Sequence, residues 1–353
     1  MTQRYCFASL TRISNLPDVG FSLTPLARAE WSTGDYVVGE VNHPRGLSAI
    51  ELANGRMIEV AEGDLVVGAF GQRCATLEAV GDWRAIANDL QMEALTSAGL
   101  FGKVTSKSAF LPPLLSLTYR GHVIVNGAKV AMRDFVRQRP KLPFTLPVVL
   151  IIGTSMSAGK TMTARLAIRL LKEMGLKVIG AKLTGAGRYR DILSMKDAGA
   201  DSIFDFVDVG LPSTVGPAEE YRAALRQILT MIVEVGADVV VAEAGASPLE
   251  PYNGDSAIAE IESNVRCMVL CASDPYAVAG VVSAFKRRPD LVAGAAANTE
   301  AGIALVEKLC DIKALDLLDK RSTPDLRAIL KRALESRAQT QSPGTGSSET
   351  HSK

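Results

Sequence analysis

Residues 147–164 read PVVLIIGTSMSAGKTMTA, an apolar run entering a loop of small residues that closes on Gly159-Lys160-Thr161 and a helix-like stretch. These are the parts of a phosphate cradle. Converging backbone N–H groups hold an anion, a lysine covers the outer phosphates, and a hydroxyl is available to magnesium. The run PVVLII delivers the loop, Gly159 permits close backbone approach, Lys160 brings the charge and Thr161 the hydroxyl. The helix that follows points its positive end at the same place. The glycine that usually opens such a loop is displaced: its place holds Thr154, and Gly153 lies one residue earlier. The nucleotide contacts expected here are Gly153, Thr154, Ser157, Ala158, Gly159, Lys160 and Thr161. An ordinary strand-to-helix turn that happens to contain lysine is the bland alternative.

Downstream of the loop, apolar runs alternate with helix-like segments. PVVLIIG, KVIGAKL, DVVVAEA, RCMVLCA and LVAGAAAN read as buried parallel strands. Helices are expected at 160–174, 217–235, 275–286 and 300–310, with Gly175 and Gly236 just past two of them, where a left-handed cap is commonly needed. A last strand-and-helix pair is expected within 313–336. The alternation predicts a doubly wound, mostly parallel α/β P-loop domain over 148–336. The closing QTQSPGTGSSETHSK is polar, and 337–353 is expected to be disordered.

Upstream, residues 1–140 read as a smaller β-rich domain. Asn54-Gly55 and Asn126-Gly127 each sit between apolar runs and mark hairpins. DYVVGEV and DLVVGAFGQRCATL supply further strands, and 84–100 reads as the one helix-prone interruption. A small barrel or sandwich follows. RQRPKLPFTLP at 137–147 carries three prolines, so a stiff linker over 141–147 is expected between the two units.

Composition narrows the function. The chain of 353 residues has 39 basic and 38 acidic side chains, so no overall field draws it to nucleic acid or membrane. Five cysteines at irregular spacing form no disulfide framework, and Cys267 and Cys271 in RCMVLC read as buried strand residues. Three histidines are too few for a zinc cluster or a histidine-based nucleophilic set. MTQRYCFASLTR lacks the apolar core of a signal peptide, and no run is long enough to span a bilayer, so a cytoplasmic protein is expected.

The displaced loop glycine resembles that of the dethiobiotin synthetase family, and further matches follow in order over 147–310. GAKLTG at 180–185 is similar to that family's second strand with its substrate-side lysine, here Lys182. Asp191 in RDIL matches the family's metal-binding aspartate. FVDVGLPSTVGP at 206–217 is similar to a substrate loop, with Ser213 in it. VVVAEAGAS at 239–247 resembles the acidic strand end, with Glu243 in the metal position. LVAGAAANT at 291–299 resembles the strand whose asparagine contacts the base, here Asn298. The chain departs from that family in carrying Ser155 and Ser157 where acidic residues are usual and Leu183 in place of a proline. AGASPLEPYNGD at 244–255 instead resembles a related P-loop family containing D-glutamate N-acetyltransferases. The resemblance implies ATP with magnesium, a small carboxylate substrate and a homo-oligomer.

The residues support roles independently of that resemblance. Glu243 ends an apolar run, the side on which α/β sheets bind ligands, and a carboxylate there complements Thr161 around magnesium. Lys182 can neutralise a transferring phosphoryl group or the acceptor carboxylate, or it can be a surface lysine. Arg188 and Arg190 offer forks for carboxylate or phosphate, or a solvated loop. Asp191 reads as a metal ligand or the cap of a following helix, and Asp274 as a cap. Asn298-Thr-Glu is not the Asn-Lys-x-Asp of guanine readers, which favours ATP over GTP. The expected activity is ATP- and magnesium-dependent activation of a small carboxylate or oxyanion for ligation or cyclisation. Two alternatives stand beside it: an acyltransferase whose loop binds a CoA-type donor, and a nucleotide-gated switch or chaperone.

Overall fold

In the computed structural model residues 5–44, 46–245 and 247–335 are described. The tail expected at 337–353 lies outside them.

The C-terminal half is a six-stranded parallel sheet. Its spatial order is Ser202–Asp205, Val178–Thr184, Val239–Ala244, Val148–Gly153, Val265–Cys271 and Leu291–Ala293. All six residues of Val148–Gly153 are buried, as are all of Val178–Thr184 and Val239–Ala244, which explains why these strands are continuous apolar runs rather than alternating ones. Val148–Gly153 lies between the strand that precedes it in space, Val239–Ala244, and the later strand Val265–Cys271. The chain winds outward in both directions from there, so the loop after Gly153 opens at a topological switch point, where such sheets bind ligands.

Helices cover both faces. Lys160–Glu173 and Thr323–Glu335 pack Ala164, Leu171, Leu326 and Leu330 against Val149, Ile151 and Val241. Ala218–Val235 and Gly254–Ile261 cover the other face through Leu225, Ile228 and Ile258. Pro275–Phe285 and Glu300–Cys310 match the expected helices, and Asp274 caps the first by accepting from the amides of Tyr276 and Ala277. Gly175 and Gly236 both have positive φ, at 82° and 66°.

The N-terminal half is a ten-stranded mixed sheet. Within it, Leu65–Phe70, Tyr36–Val41, Ser116–Val125, Gln91–Thr96 and Leu100–Lys107 pair successively, and the last pairs back to the first through Leu100–Ala69 and Phe101–Phe70. The ladder therefore closes into a small barrel. Both Asn-Gly hairpins form, with Ala49–Glu51 on Met57–Glu59 and Ser116–Val125 on Ala128–Lys129.

Several expectations fail. Residues 84–100 are not a helix-prone interruption: beyond a short 3-10 turn at Trp83–Ala85 they supply the strand Gln91–Thr96 and the start of the next. The strand is paired on both sides, with 116–118 and with 100–102, which leaves Met92, Ala94, Leu95 and Thr96 buried, and Gly99 turns the chain at φ 84°. LVAGAAAN is a strand only over Leu291–Ala293, because Gly294 at φ 84° breaks it into a 3-10 turn. The strand expected after 313 shrinks to a single bridge between Val292 and Ala314. The helix Gly254–Ile261 and the edge strand Ser202–Asp205 carry no expectation from the sequence, and Asp191 does not cap a following helix but lies in the first turn of helix Tyr189–Asp197, whose N-cap is Arg188.

Residues 136–147 between the halves form no regular element, yet the halves are not independent packing units. One apolar core runs from Leu10, Tyr36, Leu100 and Met132 of the barrel into Val148, Phe206 and Ile258 of the parallel sheet. Among the described residues no helix is long and apolar enough to cross a membrane.

Candidate functional site

Gly153 ends the central strand, and Thr154 is anchored sideways to the neighbouring strand end by its amide on the Cys271 carbonyl, 3.0 Å, and its Oγ1 on the Ser273 amide, 3.1 Å. The loop then leaves the sheet. Among the described residues the amides of Met156, Ser157 and Gly159 have no hydrogen-bond acceptor, which is the condition of a loop that presents N–H groups to an anion. Gly159 takes φ 98° immediately before helix Lys160–Glu173, a conformation costly for any residue with a Cβ.

Lys160 folds back over the loop it follows. Its Nζ donates to the Ser155 carbonyl at 2.6 Å, and its side chain covers Gly153 so closely that a Cβ there would lie 2.9 Å from Lys160 Cδ. Gly153 is thus required by the lysine's path. Burial lowers the Lys160 pKa, against the opposing charge of Glu243.

Thr161 and Glu243 meet as expected: Thr161 Oγ1 donates to Glu243 Oε2 at 3.4 Å. Glu243 is 3% exposed, and burial raises its pKa against the pull of Lys160 and Lys182. Lys182, two strands from the loop, is buried and not a surface lysine. Its Nζ pairs with Asp191 Oδ2 at 2.7 Å. Burial opposes its charge, but Asp191 and Glu243 outweigh burial and raise its pKa. Asp191 moves the other way: burial is outweighed by Lys182, which holds it below the usual carboxylate range. Lys160, Lys182, Thr161, Asp191 and Glu243 therefore form one electrostatically coupled group at the strand tips. Asp191 is engaged with Lys182, and among the described residues no three His, Cys, Asp or Glu side chains are arranged to hold a metal by themselves. A threonine hydroxyl and one carboxylate do suit magnesium, a hard cation that takes its remaining ligands from phosphate oxygens and water.

Asn298 lines a cavity of about 210 Å³ beside the loop, with Ser157, Ala158, Gly159 and Met162 in its wall. Gly294 closes its floor at φ 84°, where a Cβ would lie 2.3 Å from the Ala158 carbonyl oxygen. Asp316 lines the same cavity and was missed by sequence reasoning. It stands far along the chain, in a segment without a motif.

Arg188 and Arg190 line a different cavity, of about 270 Å³, between the barrel and the parallel sheet. Ser213 does not join them; it lines a third hollow of about 180 Å³ with Thr33 and Arg84, and its Oγ accepts from the Val215 amide at 3.2 Å. Cys267 and Cys271 are buried strand residues whose thiols burial pushes up to about 12 and about 11, so neither is a thiolate at neutral pH.

Sequence reasoning also named no residue of the N-terminal half for the site. Glu78 Oε1 accepts from Ser157 Oγ of the loop at 3.3 Å, and Glu51 accepts from the amides of Tyr189 and Arg190. The Cys74 amide donates to Tyr252 Oη at 2.8 Å. The strands and turns around 72–82 thus lie over the mouth of the parallel sheet.

No protein-family model matches the chain, and no curated protein does. Among solved structures it is similar to the hydrogenase maturation factor HypB from Archaeoglobus fulgidus, at TM-score 0.37 and 17% identity over 54% of this chain and 90% of that one. It is also similar to chloroplast FtsY from Physcomitrella patens, at TM-score 0.34 and 15% identity over 56% of this chain and 70% of that one. A DUF1611 family protein from Anabaena variabilis matches at TM-score 0.33 and 15% identity, over 53% and 58% of the two chains.

Proposed function

We propose that the chain is an ATP- and magnesium-dependent enzyme that activates a small carboxylate by phosphoryl transfer, in the manner of the dethiobiotin synthetase-like P-loop proteins. The observation that carries this reading is the Thr161–Glu243 hydrogen bond across the foot of the loop. A hydroxyl at the start of the loop helix and a buried carboxylate on the adjacent strand tip form the half-shell that a phosphate-bound cation completes. Thr161 and Glu243 would hold magnesium, which supplies charge neutralisation of the phosphates.

The chain's own residues then divide the work. The loop amides of Met156, Ser157 and Gly159, with Lys160, receive the phosphates, and Asn298 with Asp316 contacts the base. Lys182 would neutralise the negative charge that builds between phosphate and acceptor, its own proton favoured by Asp191 and Glu243. In the reaction an acceptor carboxylate oxygen bonds to the γ-phosphorus while the bridging P–O bond breaks and ADP leaves. An amine then displaces phosphate from the mixed anhydride. Nearly all the assistance needed is positioning and charge compensation, and this arrangement has no covalent nucleophile.

The test is a thermal-shift comparison of ATP, GTP and acetyl-CoA, each with and without magnesium, on the wild type and Lys160→Ala. Magnesium-dependent protection by ATP that Lys160→Ala loses is the expected result. Equal protection of both proteins would remove the loop from nucleotide binding, and protection by acetyl-CoA alone would replace phosphoryl transfer with acyl transfer.

A further inference from the structure

The cavity of about 270 Å³ between barrel and parallel sheet is lined by both charged and apolar side chains. Its charged lining combines Arg73 of the barrel with Arg188, the N-cap residue of helix Tyr189–Asp197, and Arg190 in that helix's first turn. Arg73 is 6% exposed and held rigidly. Its Nη1 donates to the Leu95 carbonyl at 2.7 Å, its Nη2 pairs with Glu78, and its Nε is buried with no partner among the described residues. Glu78 is matched by Arg73. Arg188 and Arg190 are matched by nothing: both are exposed, and neither side chain makes a hydrogen bond or ion pair among the described residues. Asp191, a carboxylate that feels both, is already bound to Lys182. Two uncompensated guanidinium groups at a cavity mouth call for an anion, and their planar forks fit a carboxylate. The apolar lining, with Met57, Leu111 and Leu115, calls for an aliphatic segment behind that carboxylate.

The cavity is also wired to the phosphate loop. Glu78 pairs with Arg73 through one carboxylate oxygen and accepts from Ser157 of the loop through the other, at 3.3 Å. On the other side, Arg190 adjoins Asp191, which holds Lys182.

We infer that this cavity is the acceptor site, that it takes a small aliphatic carboxylic acid, and that the barrel builds most of it. The inference deepens the phosphoryl-transfer reading and rests on it for the acceptor role.

The test uses the full chain and ligand-observed and methyl NMR with sodium butyrate, sodium hexanoate and hexylamine as probes. Hexanoate should bind, hexylamine should not, and affinity should tighten by about threefold to fourfold per added methylene. Hexanoate should shift the Met57 methyl signal and leave Met162, in the cavity beside Asn298, unmoved. The exposed double variant Arg188→Gln/Arg190→Gln should lose hexanoate by about tenfold or more. Binding of hexylamine as tight as that of hexanoate, a shift at Met162 instead of Met57, or full retention by the double variant would overturn the assignment. ATP protection of the wild type is read separately. If ATP protects and hexanoate fails to bind, the acceptor site falls alone; if hexanoate binds and ATP gives no protection, the nucleotide reading falls alone.

Discussion

Glu51, at the end of the hairpin strand Ala49–Glu51 of the N-terminal half, caps a helix of the other half of the molecule: its Oε1 accepts from the Tyr189 amide at 2.6 Å and its Oε2 from the Arg190 amide at 3.0 Å. Ser9 donates to the same carboxylate, which is fully buried. Helix Tyr189–Asp197 has no cap from its own N-cap residue, so the N-terminal half does for it what a local Ser or Asp usually does. The helix carries Asp191, the partner of Lys182, and the cap therefore reaches the site through two residues. Glu51→Ala should cost about 2–4 kcal/mol, because it leaves two helix amides and a hydroxyl without an acceptor. Urea unfolding measures the loss, and amide exchange should show it concentrated at 189–192. An unchanged midpoint would mean the cap is replaced by water.

Gly153 and Lys160 make the next prediction. Alanine at 153 places its Cβ against the flexible end of the lysine, which can swing away, so stability should change by less than about 1 kcal/mol. The displaced ammonium no longer covers the loop. ATP affinity, read by calorimetry, should fall by about tenfold or more.

Gly294→Ala should behave in the opposite way. Its Cβ would meet backbone oxygen of Ala158 at 2.3 Å and its φ is 84°, so strain cannot be relieved by a side chain. A loss of about 2 kcal/mol or more is expected in chemical denaturation. Gly216→Ala is the control, since nothing lies within 4 Å of the added methyl group and the shift should stay within about 0.5 kcal/mol.

Asp208 should make stability depend on pH. Burial and then the neighbouring Asp205 raise its pKa to about 6, although Arg12 pairs with both carboxylates and draws it down. A carboxyl that binds its proton more tightly when folded contributes stability that is fully present below its unfolded pKa and is lost as pH rises through about 6. Between about pH 4 and 7 the group should therefore subtract about 1–3 kcal/mol. Asp208→Asn, which has no such titration, should gain on the wild type by that amount over the same interval, followed by urea midpoints. A parallel pH course for both proteins would assign the titration elsewhere.

What could be read without coordinates was what lies within one turn or one strand. The loop from Gly153 to Thr161 is contiguous, so its amides, lysine and hydroxyl converge by local geometry alone, and buried parallel strands advertise themselves as unbroken apolar runs. Glu243 was legible because it ends such a run, where ligand sites form. Patterns misled where the local signal was mixed: 84–100 contains good helix formers, but cross-strand pairing with 116–118 and 100–102 decided for strand. The tertiary structure alone decided which distant groups share a space. It buried Lys182 against Asp191, sent Ser213 to a different hollow from Arg188 and Arg190, and brought Glu51, Arg73 and Glu78 of the N-terminal half to the other half. The physical reason is that hydrogen-bond partners and charge compensation depend on distance in space, and a closed barrel packed on a sheet sets those distances through a shared core rather than through neighbours in the chain.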